Sequence, residues 1–103
     1  MKLDMKDRIV MMNVLPENGS FVTLKCVQET KNLLVPSEEE VNNYEMVTMN
    51  GQTQFNKKGK ELIHIPISPM GLEIIKDAFR KLEDSNKLKL EQVDTYEKIM
   101  GEK

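Results

Sequence analysis

The chain has 103 residues, enough for a single domain over 1–103 and too few for two independent cores. Lys and Arg number 15 against 17 Asp and Glu, a formal charge of -2, so the surface as a whole is not basic; one Cys and one His exclude an intrachain disulfide, a thiolate cluster and a histidine-rich metal site. No apolar run approaches the ~20 residues that span a bilayer, and Asp4, Lys6, Asp7 and Arg8 break the first segment in a way no signal peptide would.

Leu3 to Leu15 reads as the first helix, with Asp4 as N-cap and Asp7 three residues on at the positive end of the dipole. Met5, Ile9 and Met12 form one apolar stripe, flanked by Val10, Val14, Met11 and Leu15. Pro16 stops the helix, and Glu17-Asn18-Gly19 is a turn. Ser20 then caps a second helix to about Leu34, with Phe21, Leu24, Val27, Lys31 and Leu34 at helical spacing. Its β-branched first half also suits a strand. Cys26 lies in this apolar stretch and reads as a buried, inert thiol.

Ser37-Glu38-Glu39-Glu40 is a capping box, with three carboxylates that complement the dipole. It predicts a short third helix from Glu38 to about Tyr44, with Val41 and Tyr44 facing inward. The period then changes to two. Asn50-Gly51 is a hairpin turn dipeptide, with Met46 to Met49 as an optional strand before it. Gln52–Asn56 and Glu61–Ile67 read as strands joined by a tip at Lys57-Lys58-Gly59-Lys60. In the second, Ile63, Ile65 and Ile67 share one face, and Pro66 marks an edge. Ser68-Pro69 opens a fourth helix with the stripe Leu72, Ile75, Phe79, Leu82 and an Asp77–Lys81 pair on the other face. Asp84-Ser85-Asn86 ends it. Leu90, Val93, Tyr96 and Met100 mark a fifth, closed by Gly101 and antiparallel to the fourth.

The expected fold is therefore α+β: three N-terminal helices, an antiparallel β-hairpin or three-stranded meander, and a C-terminal helical hairpin. A winged-helix-like arrangement is the variant of this order.

Chemistry is sparse. His64 has no oriented partner nearby and reads as a solvent-facing strand residue. Glu38, Glu39 and Glu40 diverge over ~200° of helix, so they cap rather than ligate a metal. No glycine-rich phosphate loop, nucleophile elbow or metal-spaced Cys or His pair occurs. The expectation is no catalytic residue, no cofactor and no metal. Lys57, Lys58 and Lys60 put three charges on a hairpin tip, as a wing that grips phosphates would. The helix that would read bases carries Glu38, Glu39, Glu40 and no cation, which disfavours nucleic acid. The eight Met are the compositional oddity, since Met suits adaptable binding surfaces. Met5, Met12 and Met100 sit on core stripes; Met46, Met49 and Met70 border the strands. The candidate binding surface is thus Lys57, Lys58, Lys60, His64, Met46, Met49 and Met70.

Four stretches span nearly the whole chain: Asp7-Arg8 with its apolar run to Leu15-Pro16-Glu17-Asn18-Gly19, Thr23-Leu24-Lys25, Ser37-Glu38-Glu39-Glu40-Val41, and Tyr96-Glu97-Lys98. In that order and spacing they resemble a group of small accessory proteins of bacteriophages and prophages in low-GC and gut bacteria. Lys89 stands where such proteins place a capping Thr. The resemblance implies an accessory protein working in the bacterial host cytoplasm, and it transfers no catalytic residue. The leading expectation is a non-enzymatic protein that binds a host or phage protein, inhibition being one use of such docking. The second is a winged-helix-like nucleic-acid regulator using the 57–60 tip. A homodimer through the last two helices is a further expected partner, and a membrane is not.

Overall fold

Asp4 divides the first two elements. Its carboxylate accepts from the Asp7 N–H at 2.8 Å, and the Asp7 carboxylate accepts from the Asp4 N–H at 3.3 Å. This capping box starts helix α1 at Met5–Val14 and leaves Lys2–Leu3 outside it as strand β1. The structure is a computed structural model that describes residues 1–50 and 52–101.

Three more helices begin on the expected serines. Ser20 caps α2, Phe21–Leu34; Ser37 caps α3, Glu38–Asn43; Ser68 caps α4, Pro69–Asp84. Between α3 and α4 lie β2, Val47–Met49, and β3, Gln52–Gln54, paired antiparallel with Thr48 opposite Thr53. Asn50 takes the left-handed φ of 53° that a two-residue hairpin turn asks of its first central residue. Gly51, the other half of that expected turn, lies outside the described residues. A 3₁₀ turn at Lys57–Lys60 leads to β4, Ile63–His64, which pairs antiparallel with β1. A second 3₁₀ turn, Leu90–Gln92, opens into α5, Val93–Met100.

The core lies among α1, α2, α4 and α5, roofed by the β1–β4 pair. Leu3, Met11, Leu34, Ile75, Phe79 and Ile99 are fully buried in it. α4 approaches α2 at Gly71, where an added Cβ would stand 2.6 Å from the Thr30 hydroxyl oxygen, so a larger residue would force the Thr30 side chain or the helix to move. α4 and α5 form the expected C-terminal pair, joined by an edge-to-face contact of Phe79 with Tyr96 at 5.7 Å and 89°. The outer face of that pair carries Glu73, Asp77, Arg80 and Glu97, all exposed. The α+β class stands.

Several expectations need correction. Lys57–Lys60 is not a hairpin tip. The 52–54 strand folds back on 47–49, and 63–64 pairs with the N-terminal strand, so the described residues form two separate two-stranded sheets and no meander. Local chemistry favours this outcome. The Asn56 side chain accepts from the Lys58 N–H at 3.0 Å and caps the 3₁₀ turn, while Pro66 has no N–H for a longer ladder. Within 61–67 the expected alternation holds: Ile65 is buried, Ile63 and Ile67 are half-buried, and Leu62, His64 and Pro66 are exposed.

On the helices, Val41 is 36% exposed instead of buried, and Phe21 and Leu90 are 82% and 90% exposed instead of joining their stripes. The buried positions of α2 are Cys26, Val27, Thr30 and Leu34, a face centred on Thr30 and not on Lys31; the Thr30 hydroxyl donates to the Cys26 carbonyl at 2.8 Å, and α4 approaches Thr30 at Gly71. On α5 the buried residues are Thr95 and Ile99, because Thr95 bonds a buried carboxylate on α1.

Candidate functional site

Two adjacent residues of α1 hold the molecule together in opposite directions. The Asp7 carboxylate, 3% exposed, accepts from the Thr95 hydroxyl at 2.7 Å and pairs with Lys98, both on α5. Burial works against its charge, yet Lys98, the Thr95 hydroxyl and the Asp4 N–H together hold its pKa below the ordinary 3.8. The Arg8 guanidinium, 2% exposed, reaches the other way. It donates to Glu40 on α3 at 2.5 and 3.1 Å, and to the carbonyls of Leu34 and Val35 at 3.0 and 3.2 Å. Bonding to Arg8 is the main cause that holds the Glu40 pKa below the ordinary 4.5.

Residues 36 to 62 form an arm on this anchor. Leaving Gly51 and Gln52 aside, burial within it is confined to Tyr44 and Gly59, and neither joins the main hydrophobic cluster. The arm is tied within itself: the Asn56 N–H donates to the Tyr44 carbonyl at 2.8 Å, and the Asn56 side-chain amide donates to the Asn43 carbonyl at 3.0 Å. It meets the body at the Arg8–Glu40 pair and where the 57–60 turn rests on α1.

Between arm and body runs an open groove of about 830 Å³. One wall is α1, through Ile9 and Met12. The other is the arm, through Val41, Met46, Phe55 and the paired Thr48 and Thr53. Ile9, Met12, Met46 and Phe55 are half-buried, and Val41 is 36% exposed. Such a volume lies within the ~300–1,000 Å³ of ligand-sized clefts. The Phe55 ring packs over Gly59, where an added Cβ would stand 2.2 Å from it. A second groove, of about 850 Å³, lies between the 16–19 turn and α4, and is bordered by Lys81, Lys87 and Lys89. Asn13 and Glu91 belong to the walls of both grooves, which meet there.

The structure scatters the surface expected from sequence. Met46 lines the first groove. Met49 is 62% exposed beside the β2–β3 turn, and Met70 is 44% exposed in the first turn of α4, which packs on α2, α1 and α5. His64 is exposed on β4, its Nδ1 3.3 Å from the Met1 amino nitrogen. Lys57, Lys58 and Lys60 are exposed on the 3₁₀ turn, while the true hairpin, 47–54, carries no charged residue. Glu38 and Glu39 point to solvent and Glu40 to Arg8, so the acidic run does not converge.

Ile9, Met12, Val41 and Phe55 are groove residues that periodicity assigned to the core or passed over. Their signal was an excess: α1 has more apolar positions than one helix face can bury. Arg8 also left a trace, as a cation at the head of the apolar run to Leu15, where burial would require a set of acceptors.

No protein-family model, curated protein or solved structure matches the chain. Among the described residues no helix is long and apolar enough to cross a membrane.

Proposed function

We propose that this chain is a non-enzymatic accessory protein, of the phage and prophage kind its sequence resembles, that docks on a host or phage protein through the groove between α1 and the arm. The observation that carries this reading is the apolar wall formed by Ile9, Met12, Val41, Met46 and Phe55, left open to solvent. Half-buried aliphatic, Met and aromatic side chains around a cleft are the material of binding hot spots, and Met adapts its shape to an incoming side chain. The arm adds a means of adjustment, because none of its described residues joins the main hydrophobic cluster and it hangs on a polar anchor.

The test compares wild type with Met46→Asp, whose charge would stand in the groove, as baits in a bacterial lysate. A partner held by wild type and released by a folded Met46→Asp variant supports the reading. A partner held equally by both overturns the groove as the docking surface.

A further inference from the structure

Each groove combines apolar side chains with polar ones, and the charges among them specify what lies there. The first carries an apolar strip of Met12, Met46 and Phe55 beside polar Asn13, Thr48 and Thr53. The second has a floor of Val14, Ile74, Ala78 and Leu82 under a rim where Lys81, Lys87 and Lys89 outnumber Asp77 and Glu91. Among the described residues, the charged groups that line the two together are Lys6, Lys81, Lys87 and Lys89 against Asp77 and Glu91. A chain with more acids than bases thus gathers an excess of lysine along this one path. Lys81 faces Asp77 across 3.9 Å with its side chain 81% exposed, a weak pair that leaves most of its field available. Lys87 and Lys89 are exposed on the 85–92 connection, held in place by their backbones: the Lys87 N–H donates to the Leu82 carbonyl at 2.8 Å, and the Lys89 N–H to the Gln92 side chain at 2.9 Å.

Resting on the docking reading above, we infer that the partner presents an acidic amphipathic segment, seated with its apolar side chains against Met12, Met46 and Phe55 and its carboxylates against Lys81, Lys87 and Lys89. The grooves share Asn13 and Glu91 in their walls, and this adjacency lets a single segment be offered to both. Apolar anchoring supplies affinity, and the lysine rim supplies encounter rate, orientation and selection by charge. A basic segment of the same apolar content meets three lysines at one end and is rejected there.

The experiment is selection from a randomised peptide library on the full-length protein, with Met46→Asp as the counter-selection bait. Enrichment of peptides that combine apolar residues with Asp and Glu is the expected result. The best of them should bind the Lys81→Gln, Lys87→Gln, Lys89→Gln triple variant at least about tenfold more weakly, and should weaken with added salt. Enriched peptides that are neutral or basic, or that bind the triple variant undiminished, overturn the acidic partner while leaving the groove as a docking site. No enrichment over Met46→Asp overturns the docking reading itself. A thermal melt of each variant shows that it is folded before its binding is scored, and Lys81→Arg, Lys87→Arg, Lys89→Arg should bind as wild type.

Discussion

Arg8 and Glu40, 32 positions apart, meet in a two-bond ion pair at 2.5 and 3.1 Å, with the arginine side chain 3% and the glutamate 26% exposed. Glu40 also accepts from the Ser37 N–H at 3.0 Å, so one carboxylate both caps α3 and fastens it to α1. The orientation of the arm, and with it the shape of the groove, depends on this contact.

Removing either partner should therefore be costly, but in different ways. Arg8→Met loses four hydrogen bonds and strands Glu40 beside an apolar side chain. A urea melt should show a loss of about 3–5 kcal/mol. Glu40→Gln keeps an acceptor for Arg8 and for Ser37, and should cost less. A double-mutant cycle with a coupling below about 0.5 kcal/mol would mean that the arm is held by something else.

Acid should loosen the molecule from both sides of α1. Asp7 and Glu40 each have a folded pKa below the ordinary value, 3.8 and 4.5 respectively. Each carboxylate binds protons less readily in the folded state, so its contribution is complete above its unfolded pKa and is lost as pH falls through the folded one. Stability should be level from neutrality to about pH 5 and fall below it. In the Asp7→Asn, Glu40→Gln double variant that acid slope should be much shallower; an unchanged slope would assign it to other carboxylates.

Gly59→Ala probes the groove from beneath. The new methyl would meet the Phe55 ring at 2.2 Å, so the ring must turn or the 57–60 turn must lift from α1. The expected cost is about 1–3 kcal/mol, with a loss of whatever the groove binds. A variant as stable as wild type, with Phe55 ring resonances unmoved, would show that the turn does not press on the ring.

Much of the framework was legible because it is written locally. Asp4, Ser20, Ser37 and Ser68 each precede a helix and each caps it, and Pro69 and Gly101 fall where a first and a last position should. What was not legible is pairing over distance. Lys2–Leu3 is too short to announce itself as a strand, and only the folded chain brings it to Ile63–His64. The same holds for the arm: period-two residues from 47 to 67 predicted strands, but not that Val47–Met49 would take Gln52–Gln54 and free the lysine run to form a turn. Of the candidate surface, Met46 was found and its partners Ile9, Met12 and Phe55 were not, since a helix face lining a groove has the same spacing as one lining a core.

The lysine turn gives a test against the nucleic-acid reading. Lys57, Lys58 and Lys60 lie on a short turn beside an uncharged hairpin, with Glu38 and Glu39 exposed on the same arm. Binding of random duplex at physiological salt, followed by fluorescence anisotropy, should be weaker than about 10⁻⁴ M. Micromolar binding abolished by changing all three to Gln would replace the protein-docking account with a phosphate-binding one.

The docking account is tested most directly by ¹H–¹³C spectra of the methionine methyls during titration with the best peptide from the library selection. The methionines sample distinct places: Met12 and Met46 line the groove, Met5 and Met11 are buried in the body, Met70 is exposed on α4, and Met49 is exposed beside the β2–β3 turn. The account predicts that Met12 and Met46 shift together, saturably and first, while Met5, Met11 and Met70 stay in place. Shifts centred on Met70, or saturable binding that moves neither Met12 nor Met46, would contradict it.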